Sequence, residues 1–192
     1  WAKLNYQTNK RIACIVPELN QYRSDIERTF NEIFQEKKHS FNISSGAPLA
    51  DEPIIELALA ILELNALKIM VNDFGHLLRS PFIADAENKI SVRALLDKDI
   101  RARGNISYSL NELSKLVSEK SDNTLFNAIR QTLLIKPLSE QTPTKWAVTF
   151  LQRLKIWGWP GERILNSREY QAVEHFKKAL NEFSQLENVL ST

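Results

Sequence analysis

The basic residues Arg79, Lys89 and Arg93 are the first side chains in this chain with a chemistry to offer. Arg79 opens the segment Arg79-Ser80-Pro81-Phe82, and the other two follow within two helical turns of the next element. A guanidinium beside a helix-ending turn can hold a phosphate, and phosphate contacts position a protein on nucleic acid without reading sequence. The structural alternative is a helix C-terminus steadied by Arg79, with Phe82 anchoring the next loop. A second group is aromatic. Trp157-Gly158-Trp159-Pro160-Gly161 must form a turn. Trp157 and Trp159 bracket it and are candidates for contact with a partner. Anchoring that turn onto neighbouring helices is the competing role.

Catalytic constellations are not found. His39, His76 and His175 are far apart and not at metal-ligand spacing. No G-x-x-x-x-G-K-[ST] loop is present, and the five glycines at 46, 75, 104, 158 and 161 are too scattered to cradle nucleotide phosphates. Ser44-Ser45-Gly46 is not a nucleophile elbow. Glu36-Lys37-Lys38 lies at a helix end with no strand-borne Asp to complete a nuclease metal site. No catalytic, cofactor-binding or metal-ligating residue is therefore expected in these residues. Ser109 to Leu134 reads as two short helices around a polar break, the outline of a helix-turn-helix. Its second helix has Arg130 as its only arginine and an apolar face, so a packed pair is the preferred expectation.

The elements that must position these groups follow from the pattern of apolar residues. Ile12, Ala13, Cys14, Ile15 and Val16 are a continuous apolar run, as in a strand covered on both faces. Cys14 is expected to be a buried structural thiol, and a lone cysteine suits a reducing, cytoplasmic compartment. Pro17 ends the run. A helix follows with Tyr22, Ile26, Phe30, Ile33 and Phe34 on one stripe, then a short strand from Phe41 to Ser44. This strand–helix–strand unit has no convincing strand partner downstream, and two strands alone make no stable sheet. With the start at Trp1, it reads as a piece of a larger protein. The exposed edge at Ile12 to Val16 could pair with a second copy, giving a homodimer.

Beyond residue 50 the chain reads as helical. Pro53 starts a helix that runs to about Ile69 and is apolar almost all round, so it should be central. Glu56, Glu63 and Lys68 in that stretch speak against a membrane span. Further helices are expected from Asn72 or Asp73 to Leu78, from Ala84 to about Arg103 with Gly104 as the stop, from Ser109, from Leu125 to Ile135, and from Thr142-Pro143. Ile90, Val92, Leu95, Leu96 and Ile100 are the apolar residues of the second of these, and Arg93, Asp97 and Arg101 a solvated face. Ser109 with Glu112, and Asn166 with Glu169, are capping boxes. The last helix carries Tyr170, Val173, Phe176, Leu180, Phe183, Leu186 and Leu190, and is read as a bundle helix rather than a coiled-coil seam. A chain of 192 residues with 43% hydrophobic residues can bury one good core or two small ones. Its net charge of +2 gives no whole-chain case for nucleic acid.

The segments RIACIVPELNQYRSDIERTF, FNISSGAPLADEPIIELALAILEL, FGHLLRSPFIADAE and WGWPGERILNSREYQ, in that order, resemble superfamily-one helicase-like DNA repair proteins. The group they look like is bacterial and similar to AddB-type helicase–nuclease subunits, which carry a PD-(D/E)XK nuclease module outside the region matched here. The resemblance implies an α/β fragment, predominantly helical. Residues 1–50 would be a strand–helix–strand segment of a RecA-like (2A-like) motor domain, and 51–192 a helical 2B-like insertion. UvrD-like helicases often carry an Arg directly after the apolar strand, and Pro17 stands there instead. The implied role is non-catalytic: a structural or DNA-guiding segment of a helicase–nuclease-like repair or recombination protein. Its partners would be DNA and neighbouring domains. ATP and a divalent metal would belong to the parent protein, not to these residues. The alternative is a protein–protein interaction module of helical-bundle type that uses the C-terminal helix.

Overall fold

A computed structural model describes residues 12–34, 41, 43, 48–64, 67–135 and 140–187. The chain divides into two compact units, Trp1–Pro48 and Leu49–Thr192. The described residues are predominantly helical, with one small two-stranded sheet.

The first unit holds helix α1 (Leu19–Ile33). Its stripe half-buries Ile26, Phe30 and Phe34, and leaves Tyr22 and Ile33 exposed. The Phe30 ring packs 5.7 Å from Phe34 and 5.2 Å from Phe41. The expected strand at Ile12 to Val16 is not formed: Cys14 is exposed and Ile15 is 93% exposed. An apolar run becomes a strand only when a neighbour takes up its backbone hydrogen bonds, and the described residues of this unit supply none. Phe41 and Ile43 also lie outside any strand, and the rest of Phe41 to Ser44, with His39 and Glu36-Lys37-Lys38, falls outside the described residues.

The second unit is built round α2 (Pro53–Glu63), preceded by a 3-10 turn at Leu49–Asp51. Ile54, Ile55, Leu57, Ala58 and Ile61 of α2 are all buried. It packs against α3 (Val71–Arg79), α7 (Pro143–Ile156) and α8 (Ser167–Gln185), as an all-round apolar helix requires. It ends six residues short of the expected Ile69. Arg153 of α7 donates from Nη1 to the Leu62 carbonyl at 2.9 Å and from Nη2 to the Leu64 carbonyl at 2.8 Å, satisfying the orphan carbonyls of the helix end. Burial pulls the Arg153 pKa down. Beyond it, β1 (Ile69–Met70) pairs antiparallel with β2 (Ser107–Tyr108), a ladder that the sequence pattern does not reveal.

Helix α4 (Ala86–Ala102) follows α3 and stops where Gly104 takes a positive φ of 73°. Its buried residues are Arg93, Leu96 and Ile100, whereas Ile90 and Leu95 are exposed. Helices α5 (Leu110–Ser118) and α6 (Asn123–Leu134) pack closely together. Both expected capping boxes are present, Ser109 with Glu112 on α5 and Asn166 with Glu169 on α8. Val173, Phe176 and Leu180 of α8 lie in the core, and the Phe150 and Phe183 rings stack 6.3 Å apart, so α8 is a bundle helix. Tyr170 and Leu186 remain exposed, and Leu190 falls outside the described residues.

Candidate nucleic-acid interface

The three basic residues singled out in the sequence do not form one cluster. Arg79 is the last residue of α3 and its side chain is 55% exposed. Its Nη1 donates to Asp97 Oδ2 of α4 at 2.6 Å. Arg101, one turn beyond Asp97, donates from Nε to the other carboxylate oxygen at 2.9 Å and from Nη1 to Asn72 Oδ1 at 3.0 Å. One carboxylate thus holds two guanidiniums, from two helices. Each Arg has five N–H donors, so both keep donors beyond these bonds. Arg101 is 40% exposed at its side chain.

Gly75 makes the arrangement fit. It lies on the same face of α3 as Asn72 and Arg79, at i+3 and i+7 spacing. A Cβ added there would stand 2.4 Å from Arg101 Nη2 and 2.6 Å from Asp97 Oδ1. The missing side chain opens a recess in which the charged groups cross from α4 to α3. Further cations surround the last turns of α4. Lys120 lies 2.5 Å from Asp99, and its hydrogen bond is the main cause that holds the Asp99 carboxyl below its ordinary pKa, with Lys98 and Arg103 adding to it. Arg79, Lys98, Arg101, Arg103 and Lys120 are five cations against two carboxylates, Asp97 and Asp99. Sequence reasoning placed Arg101 on a merely solvated face. The signal it passed over was Gly75, a glycine inside a helix, which marks close approach by another group.

Lys89 lies two helical turns before Asp97 on α4, about 12 Å along the axis at 1.5 Å per residue. Its Nζ is 3.4 Å from the Ser121 carbonyl, and it is partly exposed. Arg93 is a correction. Its side chain is 2% exposed, and Nε donates to Asp122 Oδ2 at 2.8 Å while Nη2 donates to the Ala84 carbonyl at 2.8 Å. A group so enclosed cannot reach a phosphate. Asp122, itself fully buried at its side chain, also accepts the Leu125 N–H at 3.0 Å and so caps α6. Arg93 therefore ties α4 to the turn before it and to the start of α6.

The tryptophans are a second correction. Trp157 is 1% exposed and Trp159 is 8% exposed. Trp157 Nε1 donates to Thr132 Oγ1 at 3.0 Å, and Trp159 Nε1 to the Ile54 carbonyl at 2.8 Å. With both polar tips satisfied inside, they anchor the turn to α6 and α2 and present no surface to a partner. Gly158 brings that turn against Ala84, whose N–H donates to the Trp157 carbonyl at 2.9 Å. Arg163 closes the same corner: its guanidinium lies 4.9 Å from the centre of the Phe82 ring and pairs with Glu169. Phe82 thus anchors the loop after α3, as the structural alternative for Arg79-Ser80-Pro81-Phe82 supposed.

Among the described residues no group of three or more His, Cys, Asp or Glu could hold a metal ion. None of the described helices is long and apolar enough to cross a membrane. No family model, no curated protein and no solved structure matches this chain.

Proposed function

We propose that this chain is a non-catalytic, DNA-guiding segment of a helicase–nuclease-like repair or recombination protein, and that Arg79 and Arg101 are its phosphate contacts. The observation that carries this is the pair of exposed guanidiniums held on Asp97 above the Gly75 recess. Two arginines already fixed by a carboxylate lose less side-chain freedom on meeting a backbone phosphate than free ones. The ordered sequence segments point to the parent family. In that scheme residues 1–50 belong to a RecA-like domain and 51–192 form a 2B-like insertion, and the helical make-up of the second unit supports an insertion of this kind. ATP and a divalent metal act in the parent, away from these residues. An interaction module using the C-terminal helix is the weaker reading, because the middle of its apolar stripe is consumed by the core.

Fluorescence anisotropy with single-stranded and forked DNA over a salt series tests the proposal. Removing one phosphate-binding side chain lowers the log–log salt slope by roughly 0.7 on a single strand. Arg79→Ala/Arg101→Ala should therefore flatten it by about 1.4 while the fold persists, since both side chains are exposed. Absence of salt-dependent binding, or an unchanged slope in the double variant, removes the DNA role.

A further inference from the structure

Helix α3 turns a second face to a different neighbour. Asn72, Gly75 and Arg79 meet α4, whereas Asp73 and His76 border a groove of about 530 Å³ against α2. Glu56, Leu59 and Glu63 line its α2 wall at i, i+3 and i+7, one stripe of that helix. Its floor is apolar, and Leu59 and Met70 are partly open to solvent there, at 36% and 37%.

The charges of this groove are unbalanced. Glu56, Glu63 and Asp73 face it against a single lysine, Lys68. Unlike Asp97, Asp99 and Glu169, these three carboxylates make no side-chain hydrogen bond or ion pair among the described residues. A carboxylate triad round an apolar floor repels phosphate and attracts cations, and the floor attracts hydrocarbon. We infer that the groove docks a cationic amphipathic segment of a partner protein. An apolar side chain of that segment would sit on Leu59 and Met70, and its Lys or Arg residues would meet Glu56, Glu63 and Asp73. Complementary charge at such a rim sets partner choice and association rate. The inference stands apart from the DNA proposal. The two faces of α3 carry opposite charge, so a strand and a basic segment could be held at once.

The test uses the whole chain and a fluorescein-labelled Leu/Lys amphipathic peptide, with a Leu/Glu peptide of the same pattern as control. The Leu/Lys peptide should bind saturably and more weakly at high salt, and the Leu/Glu peptide should not bind. Glu63→Lys/Asp73→Lys should weaken binding by roughly tenfold, as expected for two reversed surface charges. Met70→Gln, neutral and of similar size, should also weaken it, because the apolar floor is spoiled, and circular dichroism should show both variants folded. Equal binding of both peptides, no binding of the Leu/Lys peptide, or undiminished binding by the charge-reversed variant would overturn the inference. So would displacement by spermine together with no effect of Met70→Gln, since that is attraction of any polycation.

Discussion

Replacing Arg93 by Met separates a stability role from a DNA role at one residue. Arg93 and Asp122 are 2% and 0% exposed at their side chains and meet at 2.8 Å. Removing the guanidinium leaves the Asp122 carboxylate buried with only the Leu125 N–H and the α6 N-terminus to stabilise it. Breaking a buried pair in this way costs about 3–5 kcal/mol. Two effects offset part of it. The positive end of the α6 dipole favours the remaining carboxylate. Arg93 Nη1 also has no hydrogen-bond partner among the described residues, and relief of that buried donor returns about 1 kcal/mol. A net loss of about 2–4 kcal/mol follows, which at roughly 3 °C per kcal/mol for a unit of this size lowers Tm by about 6–12 °C. Tryptophan fluorescence is the assay, because Trp157 and Trp159 are buried in the same unit. Asp122→Asn keeps a capping side chain but strands the guanidinium, and should lose a similar amount. The double variant Arg93→Met/Asp122→Asn should lose clearly less than the sum of the two, since no charge is left buried. Below its melting range Arg93→Met should bind DNA as the parent chain does. Stability within about 0.5 kcal/mol of the parent, with weakened DNA binding, would refute this reasoning and make Arg93 an outward phosphate contact.

Three further outcomes are expected. Gly75→Ala gains about 1 kcal/mol of helix propensity while its Cβ displaces the flexible ends of Arg101 and Asp97, so stability should change by no more than that. DNA affinity should fall about threefold, the size of one surface contact, and unchanged binding would show that the recess does not position the guanidiniums. Gly158→Ala should lose about 2 kcal/mol or more in urea unfolding, because φ is +71° and the new Cβ would stand 2.4 Å from Ala84 Cβ and 2.8 Å from its backbone N; a midpoint equal to the parent's would show that no close approach exists. Glu169 is held below its ordinary pKa, first by its hydrogen bond from Arg163. Its folded-state value being the lower one, its stabilisation is fully present above the ordinary carboxylate range and is lost as pH falls through that lowered value. The stability gap between the parent and Glu169→Gln should therefore close on acidification, and a gap independent of pH would dismiss the pairing as a contributor.

Helix ends were the most legible part of this chain. Ser109 with Glu112, Asn166 with Glu169, Pro53, Thr142-Pro143 and Gly104 all act as their residue types require. Each works within one turn of backbone, so no distant residue is needed to predict it. The buried stripe of α8 was legible for the same reason, since its period is a property of one helix. What failed were judgements that turn on which particular partner a segment meets, as for the strand at Ile12 to Val16, Arg93 and the tryptophan turn. Ile12 to Val16 has strand composition, but a ladder needs a partner strand.

The candidate site divides along the same line. The sequence by itself put Arg79, Lys89 and Arg93 near one another and fixed the helices that carry them. Only the tertiary structure decided that Arg93 meets Asp122, 29 residues away, and is buried, while Arg79 meets Asp97, 18 residues away, and stays exposed. It likewise ended α2 with an arginine 91 residues from the carbonyl it caps, and enclosed both tryptophans of the turn. The physical reason is that periodicity and capping are local free energies. The fate of a charge or a large aromatic depends on whether another element brings a partner before water does.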